Sequence, residues 1–266
     1  MKFCSLASGS SGNSEYVGSD STSILIDAGI STRRIVNGLD IVGVSADSLD
    51  AILVTHEHSD HIKGLEVFLS RYNVPLYATM PTLDAVARAD KKNRIDKSLF
   101  KAIKPDKAFL IGDIEVMPFA TSHDAGQSVC YTLQSGRKKI GIATDLGVYD
   151  NYVISKLSGS NIMFIEANYD LSMLQAGPYP YSLKKRILSD VGHLSNDMGA
   201  RLILQLLGRH VTNVFLGHLS KENNYPALAY ETVRYELNKE YGDISRFHLA
   251  TADRDNLSCQ VGFQIG

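Results

Sequence analysis

The segment from Thr55 to His61 carries the residue types best suited to chemistry in this chain of 266 residues. It reads Thr-His-Glu-His-Ser-Asp-His and holds three of the eight histidines. Neutral imidazoles and carboxylates are protein ligands for zinc, iron and manganese. Because His56 and His58 are two apart in an extended stretch, their side chains point the same way and can share one ion. Asp60 and His61 follow where the chain turns, so they can face a second ion.

The elements around this segment would place it at the end of a strand. The apolar run 51–54 predicts a buried strand before it, and residues 62–65 predict the start of a helix after it. Four further strand-like runs each lead into an aspartate or a histidine, namely Asp27, His123, Asp145 and His218. The alternative is a solvated polar turn with histidines placed by chance. The crowding of three histidines into positions 56–61 argues against that alternative.

The pattern His-x-His-x-Asp-His at 56–61, with the later His123, Asp145 and His218, resembles the signature of the metallo-β-lactamase superfamily. The resemblance implies an α/β fold, a four-layer αββα sandwich with two divalent metal ions at one edge of the sheets. The ligands that it implies for one metal are His56, His58 and His123. Those that it implies for the other metal are Asp60, His61 and His218. Asp145 would bridge the two ions, and Asp27 would support the ligands from behind.

The composition fits one compact α/β domain over residues 1–266. Apolar residues make up 44% of the chain and charged residues 21%, as is typical of a soluble globular protein. No run approaches the ~18 apolar residues of a membrane span, and no signal peptide is evident. We therefore expect a cytoplasmic protein without membrane insertion. The net charge of −2 argues against a general polyanion-binding surface but leaves room for a local basic patch.

Apolar spacing predicts the remaining helices and strands. Helical spacing occurs at 33–39, 65–71, 82–88, 196–207 and 227–237. Early strands cluster in 2–27, 50–78 and 113–144. Strand-like runs near 162–166, 213–217, 246–250 and 259–264 would complete a second sheet.

The three cysteines, Cys4, Cys130 and Cys259, do not suggest a metal site or a disulfide framework. They are odd in number, far apart in the sequence and unlike any zinc-binding spacing. We interpret them as three reduced, mostly buried thiols. A thiol near the mouth of the metal site is the alternative for Cys4.

Two later segments resemble motifs of the RNase Z family within the superfamily. Residues 164–168, which contain Glu166, resemble its HEAT motif, and residues 192–195, which contain His193, resemble its GHST motif. The resemblance implies that Glu166 and His193 lie beside the metals and help to protonate the leaving group. The chain has Ile165 where the family has histidine, and the long arm that grips tRNA is not evident. The alternatives are a helix-capping role for His193 and a structural hydrogen-bonding role for Glu166.

Four segments are similar to the YycJ/WalJ-like subfamily, at residues 6–14, 142–147, 192–196 and 218–224. Members of that subfamily are regarded as DNA exonucleases or phosphodiesterases. The resemblance implies the same activities for this chain.

The loop 8–14 is a candidate phosphate-binding element. Gly9 and Gly12 permit positive φ, and small residues leave backbone N–H groups accessible to a phosphate. The candidate contacts in this loop are Ser8, Ser10, Ser11 and Asn13. A tight hairpin between two strands is the alternative, and it is compatible with the first interpretation.

Two basic segments could contact a nucleic-acid backbone. Residues 90–107 hold seven Lys or Arg against three Asp, and the candidate contacts there are Lys91, Lys92 and Arg94. A solvated surface connection explains this segment equally well. The second patch, 184–186, follows Tyr179 and Tyr181, which could stack on bases. A buried turn is the favoured interpretation of these tyrosines.

Together these features predict a dinuclear metal-dependent phosphodiester hydrolase, expected to be an exonuclease acting on DNA ends. A hydroxide held between two ions of zinc, manganese or iron would attack phosphorus in line. Asp60 would orient it, and His193, held by Glu166 or a neighbour, would protonate the leaving oxygen. One alternative is hydrolysis of a small cyclic or phosphonate diester, and another is a non-catalytic regulatory module. DNA is the expected partner, and a homodimer is a possible assembly.

Overall fold

Two seven-stranded sheets packed face to face account for the strands in the computed structural model of the chain, which describes residues 1–263. The strands of the first sheet are β1 (Lys2–Ala7), β2 (Ser14–Gly18), β3 (Ser23–Ile26), β4 (Ala51–Leu53), β5 (Leu76–Thr79), β6 (Phe100–Ile103) and β14 (Ser258–Cys259). The strands of the second sheet are β7 (Phe109–Ile111), β8 (Ile114–Ala120), β9 (Val129–Ser135), β10 (Lys138–Ala143), β11 (Ile162–Glu166), β12 (Asn213–Gly217) and β13 (His248–Thr251).

The helices within residues 1–263 lie outside the sheets or in the loops between strands. They are α1 (Thr32–Ile41), α2 (Ser59–Ile62), α3 (Leu65–Leu69), α4 (Met80–Ala89), α5 (Asn151–Leu157), α6 (Leu171–Ala176), α7 (Tyr181–Ile187), α8 (Asn196–Leu206) and α9 (Pro226–Tyr241). None of these helices combines the length and the apolar character that crossing a bilayer requires.

The strand order places the ends of the central strands along one edge. The first sheet runs β14-β1-β2-β3-β4-β5-β6, and the strands from β3 to β6 are parallel. The second runs β13-β12-β11-β10-β9-β8-β7, and the strands from β10 to β13 are parallel. Parallel strands are covered on both faces, so their sequences are continuous apolar runs. All five residues of β11 are buried.

Apolar layers between and outside the sheets hold the sandwich together. Between the sheets, the Phe3 ring packs against Phe164 and Phe215 with centroid distances of 5.5 and 5.2 Å. Helices α1, α3 and α4 cover the outer face of the first sheet, and α5, α8 and α9 cover that of the second. The predicted αββα sandwich is therefore confirmed.

The five helices that apolar spacing predicts correspond to α1, α3, α4, α8 and α9, with ends shifted by a few residues. Helix α8 begins after Ser195, whose hydroxyl accepts a hydrogen bond from the Met198 N–H at 3.2 Å. Helices α2, α5, α6 and α7 were not predicted. Each is seven residues or shorter, so the periodic signal in the sequence is weak.

The prediction that a strand at 259–264 belongs to the second sheet is wrong. Strand β14 covers Ser258–Cys259 and pairs antiparallel with β1 at the border of the first sheet, while residue 264 lies outside the described residues. The apolar pattern indicated a strand, but no local signal indicated which of two sheet borders it would join.

The same pairing overturns the prediction of three reduced thiols. Cys4 lies directly opposite Cys259 across β1 and β14, and the two are joined by a disulfide. Their separation of 255 residues hides this contact in the sequence. Cys4 is fully buried, so the alternative of a thiol at the mouth of the site is also wrong. Cys130 is a buried free thiol, as predicted, and burial raises its pKa.

Candidate metal centre

The predicted ligands lie at one edge of the sandwich that we call the ligand edge, either beyond the end of a strand or, for Asp60 and His61, in α2. The segment 56–61 follows β4, and His123 follows β8. Three residues there have positive φ although they are not glycine: Asp27 (58°), Asp145 (59°) and His218 (57°). A non-glycine residue in such a conformation costs about 1–3 kcal/mol and persists only where its surroundings enforce it. Their side chains therefore turn sharply off their strands toward a common point.

Four overlapping groups of potential ligand atoms meet at this edge, and two of them correspond to the predicted ligand sets. His56, His58 and His123 form one group, in which His58 Nδ1 lies 3.3 Å from His123 Nε2. Asp60, His61 and His218 form the other. In this second group, Asp60 Oδ2 lies 3.6 Å from His61 Nε2 and 3.4 Å from His218 Nε2.

The Asp145 carboxylate lies between the two groups. Its Oδ2 is 3.3 Å from His61 Nε2, and its Oδ1 is 3.6 Å from both His123 Nε2 and His218 Nε2. One carboxylate therefore faces nitrogen atoms of both groups. This is the position that the sequence predicts for a bridging ligand.

The spacing and the unmet hydrogen-bonding capacity of these atoms fit metal ions. Ligand atoms on a tetrahedral ion with bonds of about 2.0–2.1 Å are roughly 3.3 Å apart, close to the distances found here. His56 Nε2 and Asp145 Oδ2 are buried atoms without a hydrogen-bond partner in residues 1–263. Leaving such an atom unsatisfied costs about 1–3 kcal/mol. Cations between the two groups would satisfy both atoms.

Asp27 lies behind His61 and fixes its ring. Its Oδ2 pairs with His61 Nδ1 at 2.7 Å, and its two oxygens accept hydrogen bonds from the Thr55 N–H and hydroxyl at 2.9 Å each. Hydrogen bonding at Nδ1 leaves His61 Nε2 directed at Asp60 and Asp145. His123 is held in the same way, because its Nδ1 lies 3.1 Å from the Gly192 carbonyl oxygen.

The direction of the histidine pKa shifts differs between the two ligand groups. Burial lowers the pKa of His56, which stays a neutral imidazole able to bind a metal, and burial also lowers that of His123. Burial opposes the charged form of His218 as well, but Asp145, Asp60 and Glu166 outweigh it and raise its pKa to about 10. Asp27 and Asp145 likewise overcome burial and raise the pKa of His61.

Glu166 and His193 lie at the rim of the same cluster. Glu166 Oε1 is 2.8 Å from His193 Nδ1 and 3.0 Å from His218 Nδ1, and its Oε2 accepts the N–H groups of Leu146 and Leu194. Burial favours the protonated form of Glu166, but His193 and His218 overcome it and lower its pKa. The alternative of a capping role for His193 is wrong, because Ser195 caps α8. Glu166 does serve as a structural hydrogen-bond partner, and it also orients two histidines.

The loop 8–14 borders the cluster. The Ser8 hydroxyl accepts the His218 N–H at 2.8 Å, and Asn13 Nδ2 lies 3.3 Å from His61 Nε2. Gly9 and Gly12 have φ of +146° and +156°, which confirms the predicted positive φ. Ser10 and Ser11 are exposed at the tip. Their contact with substrate stays a prediction.

The segment 90–107 lies farther from the ligand edge. It follows α4, a helix of ten residues and therefore about 15 Å long, whose first turn places Thr82 beside Glu57 of the ligand segment. Lys91 and Lys92 are exposed, and Arg94 pairs with Glu66 at 3.6 Å. No contact of Lys91, Lys92 or Arg94 with the ligand groups occurs in the described residues, and their role as substrate contacts stays a prediction.

The second basic patch is much closer to the ligands. Arg186 Nη2 donates to Asp124 Oδ1 at 2.8 Å, next to His123 in the chain. The favoured interpretation of residues 177–181 as a buried turn is wrong for Tyr181, which begins α7 and is 82% exposed. Helix α7 buries Ile187 instead, so the tyrosine remains outside the core.

Arg254 and Asn168 contact this edge without having been predicted. Arg254 donates to Ser11 Oγ at 3.2 Å and to the Leu219 carbonyl at 2.8 Å, which ties the loop 8–14 to the residue after His218. Asn168 Nδ2 donates to the His218 carbonyl at 2.7 Å. Asn168 is the last residue of the segment 164–168 around Glu166 and could have been found there. Arg254 carries no local signal.

The comparisons with known proteins agree with this site. Residues 22–218 match the family model described as the β-lactamase superfamily domain. Exodeoxyribonuclease WalJ of Streptococcus pneumoniae is 39% identical over 237 residues, which cover 89% of this chain and 88% of the relative. Exodeoxyribonuclease YycJ of Bacillus anthracis is 36% identical over 254 residues, 95% of this chain and 96% of the relative. The crystal structure of human tRNase Z, short form, has a TM-score of 0.68 and 15% identity, covering 97% of this chain and 98% of that one; this shows a shared fold.

A two-sheet sandwich with histidine and aspartate clusters at one edge defines the class of metallo-β-lactamase-fold proteins, whose fold implies divalent metal ions. Within that class, the chain belongs to the β-lactamase superfamily and to the family of WalJ and YycJ exodeoxyribonucleases. The predicted family membership is confirmed. The relationships also support the prediction of a metal-dependent hydrolase.

Proposed function

We propose that this chain is a DNA exonuclease that hydrolyses phosphodiester bonds at DNA ends with two divalent ions of zinc, manganese or iron. The observation that carries the proposal is the pair of ligand groups joined by Asp145, with unpartnered atoms on His56 and Asp145, in a chain related over most of its length to exodeoxyribonucleases. His56, His58 and His123 would hold one ion. Asp60, His61 and His218 would hold the other, with Asp145 shared.

Divalent ions bound here would supply an activated water and neutralise charge on the phosphoryl oxygens. The chain itself would supply the proton for the leaving oxygen. Glu166 holds His193 through Nδ1 at 2.8 Å, so the opposite nitrogen, Nε2, is the one that can give a proton outward. Asp60 is held by His61 and His218 at the open side of its group, where it can accept a hydrogen bond from water.

The proposal treats residues 1–266 as one metallo-β-lactamase-fold domain that acts in the cytoplasm, where DNA is found. The loop 8–14, with Ser8, Ser10, Ser11 and Asn13, is the proposed phosphate contact beside the ligands. A homodimer stays a prediction.

The test compares linear and circular DNA of the same sequence, end-labelled and internally labelled, with Mn²⁺, Zn²⁺ or Fe²⁺ added to the purified protein. RNA and bis(p-nitrophenyl) phosphate are assayed in parallel, and Asp145→Ala is the inactive control. We expect linear DNA to be shortened from an end while circular DNA stays intact. Cleavage of circular DNA would contradict an exonuclease.

Two other outcomes identify the alternatives. Hydrolysis of bis(p-nitrophenyl) phosphate without any loss of DNA would indicate a small-diester phosphodiesterase. No turnover of any substrate, with metals shown to be bound by elemental analysis, would indicate a non-catalytic module.

A further inference from the structure

A cavity of about 620 Å³ opens on the surface beside α7. Its walls include two aromatic rings and two ammonium groups, from Tyr179, Tyr181, Lys184 and Lys185. Leu188 adds an apolar floor. We call this the Tyr181 cavity. Its volume is within the range of about 300–1,000 Å³ typical of ligand sites.

The cavity is built from one face of α7. Tyr181, Lys184, Lys185 and Leu188 stand at positions i, i+3, i+4 and i+7, so they share one side of the helix. Tyr181 is 82% exposed and Leu188 46%, which is unusual for large apolar side chains that lie together. Exposed apolar groups rimmed by lysines are a feature of interaction sites.

Other residues of α7 connect the cavity to the ligand edge. The Ile187 carbonyl accepts the His193 N–H at 3.1 Å. Arg186 pairs with Asp124, the residue after His123. One short helix therefore touches the proposed proton donor and lines the cavity.

The chemistry of the walls specifies the ligand. Aromatic rings bind the faces of nucleobases without regard to sequence, and ammonium groups bind phosphate. The Lys184 ammonium donates to the Gln175 carbonyl at 2.7 Å, which holds it beside the cavity, and Lys185 forms no ion pair within residues 1–263. Protein–protein interfaces are depleted in lysine, so a second copy of the chain fits this surface less well than a polyanion does.

We infer that the Tyr181 cavity binds an unpaired nucleotide of the DNA strand adjacent to the scissile phosphate, with Tyr181 stacked on its base and Lys185 on its phosphate. The inference rests on the proposed function and specifies its substrate as a single-stranded or unpaired end. A base inside a duplex has both faces covered by its neighbours, so it cannot stack on Tyr181.

The first experiment measures binding separately from cleavage. A fluorescein-labelled oligothymidylate with phosphorothioate linkages is titrated with metal-loaded protein and followed by fluorescence anisotropy. Tyr181→Ala should weaken binding by about 5- to 150-fold, the usual loss of one base stack, whereas Tyr181→Phe should stay within about twofold of wild type. Tyr235→Ala is the matched control, because Tyr235 is 65% exposed on α9 and outside the cavity. Metal content and melting temperature check that each variant is folded.

Equal affinity for wild type, Tyr181→Ala and Tyr235→Ala would overturn the inference. That result leaves the proposed function intact if wild type still shortens linear DNA. Failure of wild type to shorten DNA would overturn the proposed function itself, whatever the binding data show.

The second experiment uses the absence of tryptophan from the sequence. Tyr181→Trp introduces a single reporter whose emission should fall when a base stacks on it. A series of oligonucleotides, each with an abasic site at a different position from the end, is then tested. All should quench the tryptophan emission except the one that lacks the base bound in the cavity, and its abasic position identifies that base. Equal quenching by every abasic oligonucleotide would contradict stacking. An emission shift that depends on protein concentration without DNA would indicate that a second copy covers the surface instead.

Discussion

The carboxylates at the two ends of the sandwich are satisfied in different ways. At the end opposite the ligand edge, Asp113 accepts hydrogen bonds at 2.5–2.9 Å from four hydroxyl groups. The donors are Ser19, Ser21, Thr22 and Ser135. These bonds lower the pKa of Asp113 and tie a turn of the first sheet to the second. At the ligand edge, Asp145 keeps a buried oxygen that has no hydrogen-bond partner among residues 1–263.

The contrast separates a structural carboxylate from one prepared for a ligand. The hydrogen bonds to Asp113 come from the chain itself, so no further ligand has to bind there. Asp145 is packed among histidines at a position where only a cation or a proton would complete it. Asp145 is thus set apart by its position among the histidines of both ligand groups and not by its charge alone.

The largest expected effect comes from removing Asp145. Asp145→Ala should lose metal occupancy and lower turnover by roughly 10⁴-fold or more, because one carboxylate serves both ions. Elemental analysis of the purified variant and wild type measures the first effect, and DNA hydrolysis the second. One ion per chain in wild type and no change in the variant would contradict a shared ligand.

A smaller loss of activity, without loss of metal, is expected for His193→Ala. Turnover of DNA should fall by about 10²–10⁴-fold, the usual value of a positioned proton donor. The loss should be much smaller with bis(p-nitrophenyl) phosphate, because p-nitrophenolate leaves without protonation. If both substrates lose activity equally, His193 has a structural role.

Once the metals are removed, the stability that the ligand edge contributes to the fold should decrease as the pH rises into the alkaline range. The folded pKa values of His61 and His218 are raised above the unfolded value of about 6.5, so their stabilisation is complete below that pH. It is lost as the pH rises through the folded pKa, about 10 for His218. The melting temperature of chelator-treated protein should therefore fall between about pH 6.5 and 10. Metal-loaded protein should lack this fall, since cations replace the protons. If the melting temperatures of the metal-loaded and chelator-treated proteins fall in parallel with pH, the prediction is contradicted.

The smallest effect is expected at the opposite end. Asp113→Asn should lower the melting temperature by a few degrees at pH 7 while metal content and DNA hydrolysis stay at wild-type values. Because the folded pKa of Asp113 is lowered, its stabilisation is present above the unfolded value of about 3.9 and is lost as the pH falls through the folded pKa. The difference between variant and wild type should thus shrink in acid. A loss of bound metal in this variant would remove the distinction between the two ends.

Much of the ligand edge could be predicted because its signals are local. The segment 56–61 holds four of the ligands in six positions, and each remaining ligand lies at the end of an apolar run whose length and composition indicate a strand. A strand followed at once by a polar residue places that residue at a sheet edge. The partnership of Glu166 with His193 was also predicted, through the motifs that carry them.

The features that were missed depend on contacts between distant parts of the chain. The disulfide from Cys4 to Cys259 follows from how β14 pairs, and Arg254 reaches Ser11 only after both sheets have formed. The exposure of Tyr181 was missed for a different reason. Its apolar ring suggested burial, but α7 has a single buried residue, Ile187, and the tyrosine lies on the opposite side.

The positive φ of Asp27, Asp145 and His218 has an evolutionary consequence. Glycine would adopt these backbone conformations without strain, so selection for folding alone would favour glycine there. A duplicated copy of this gene that no longer needed catalysis would be expected to drift toward glycine or asparagine at these positions. The side chains kept at these three strand ends contact the ligand groups, so their retention in a strained conformation fits selection for chemistry.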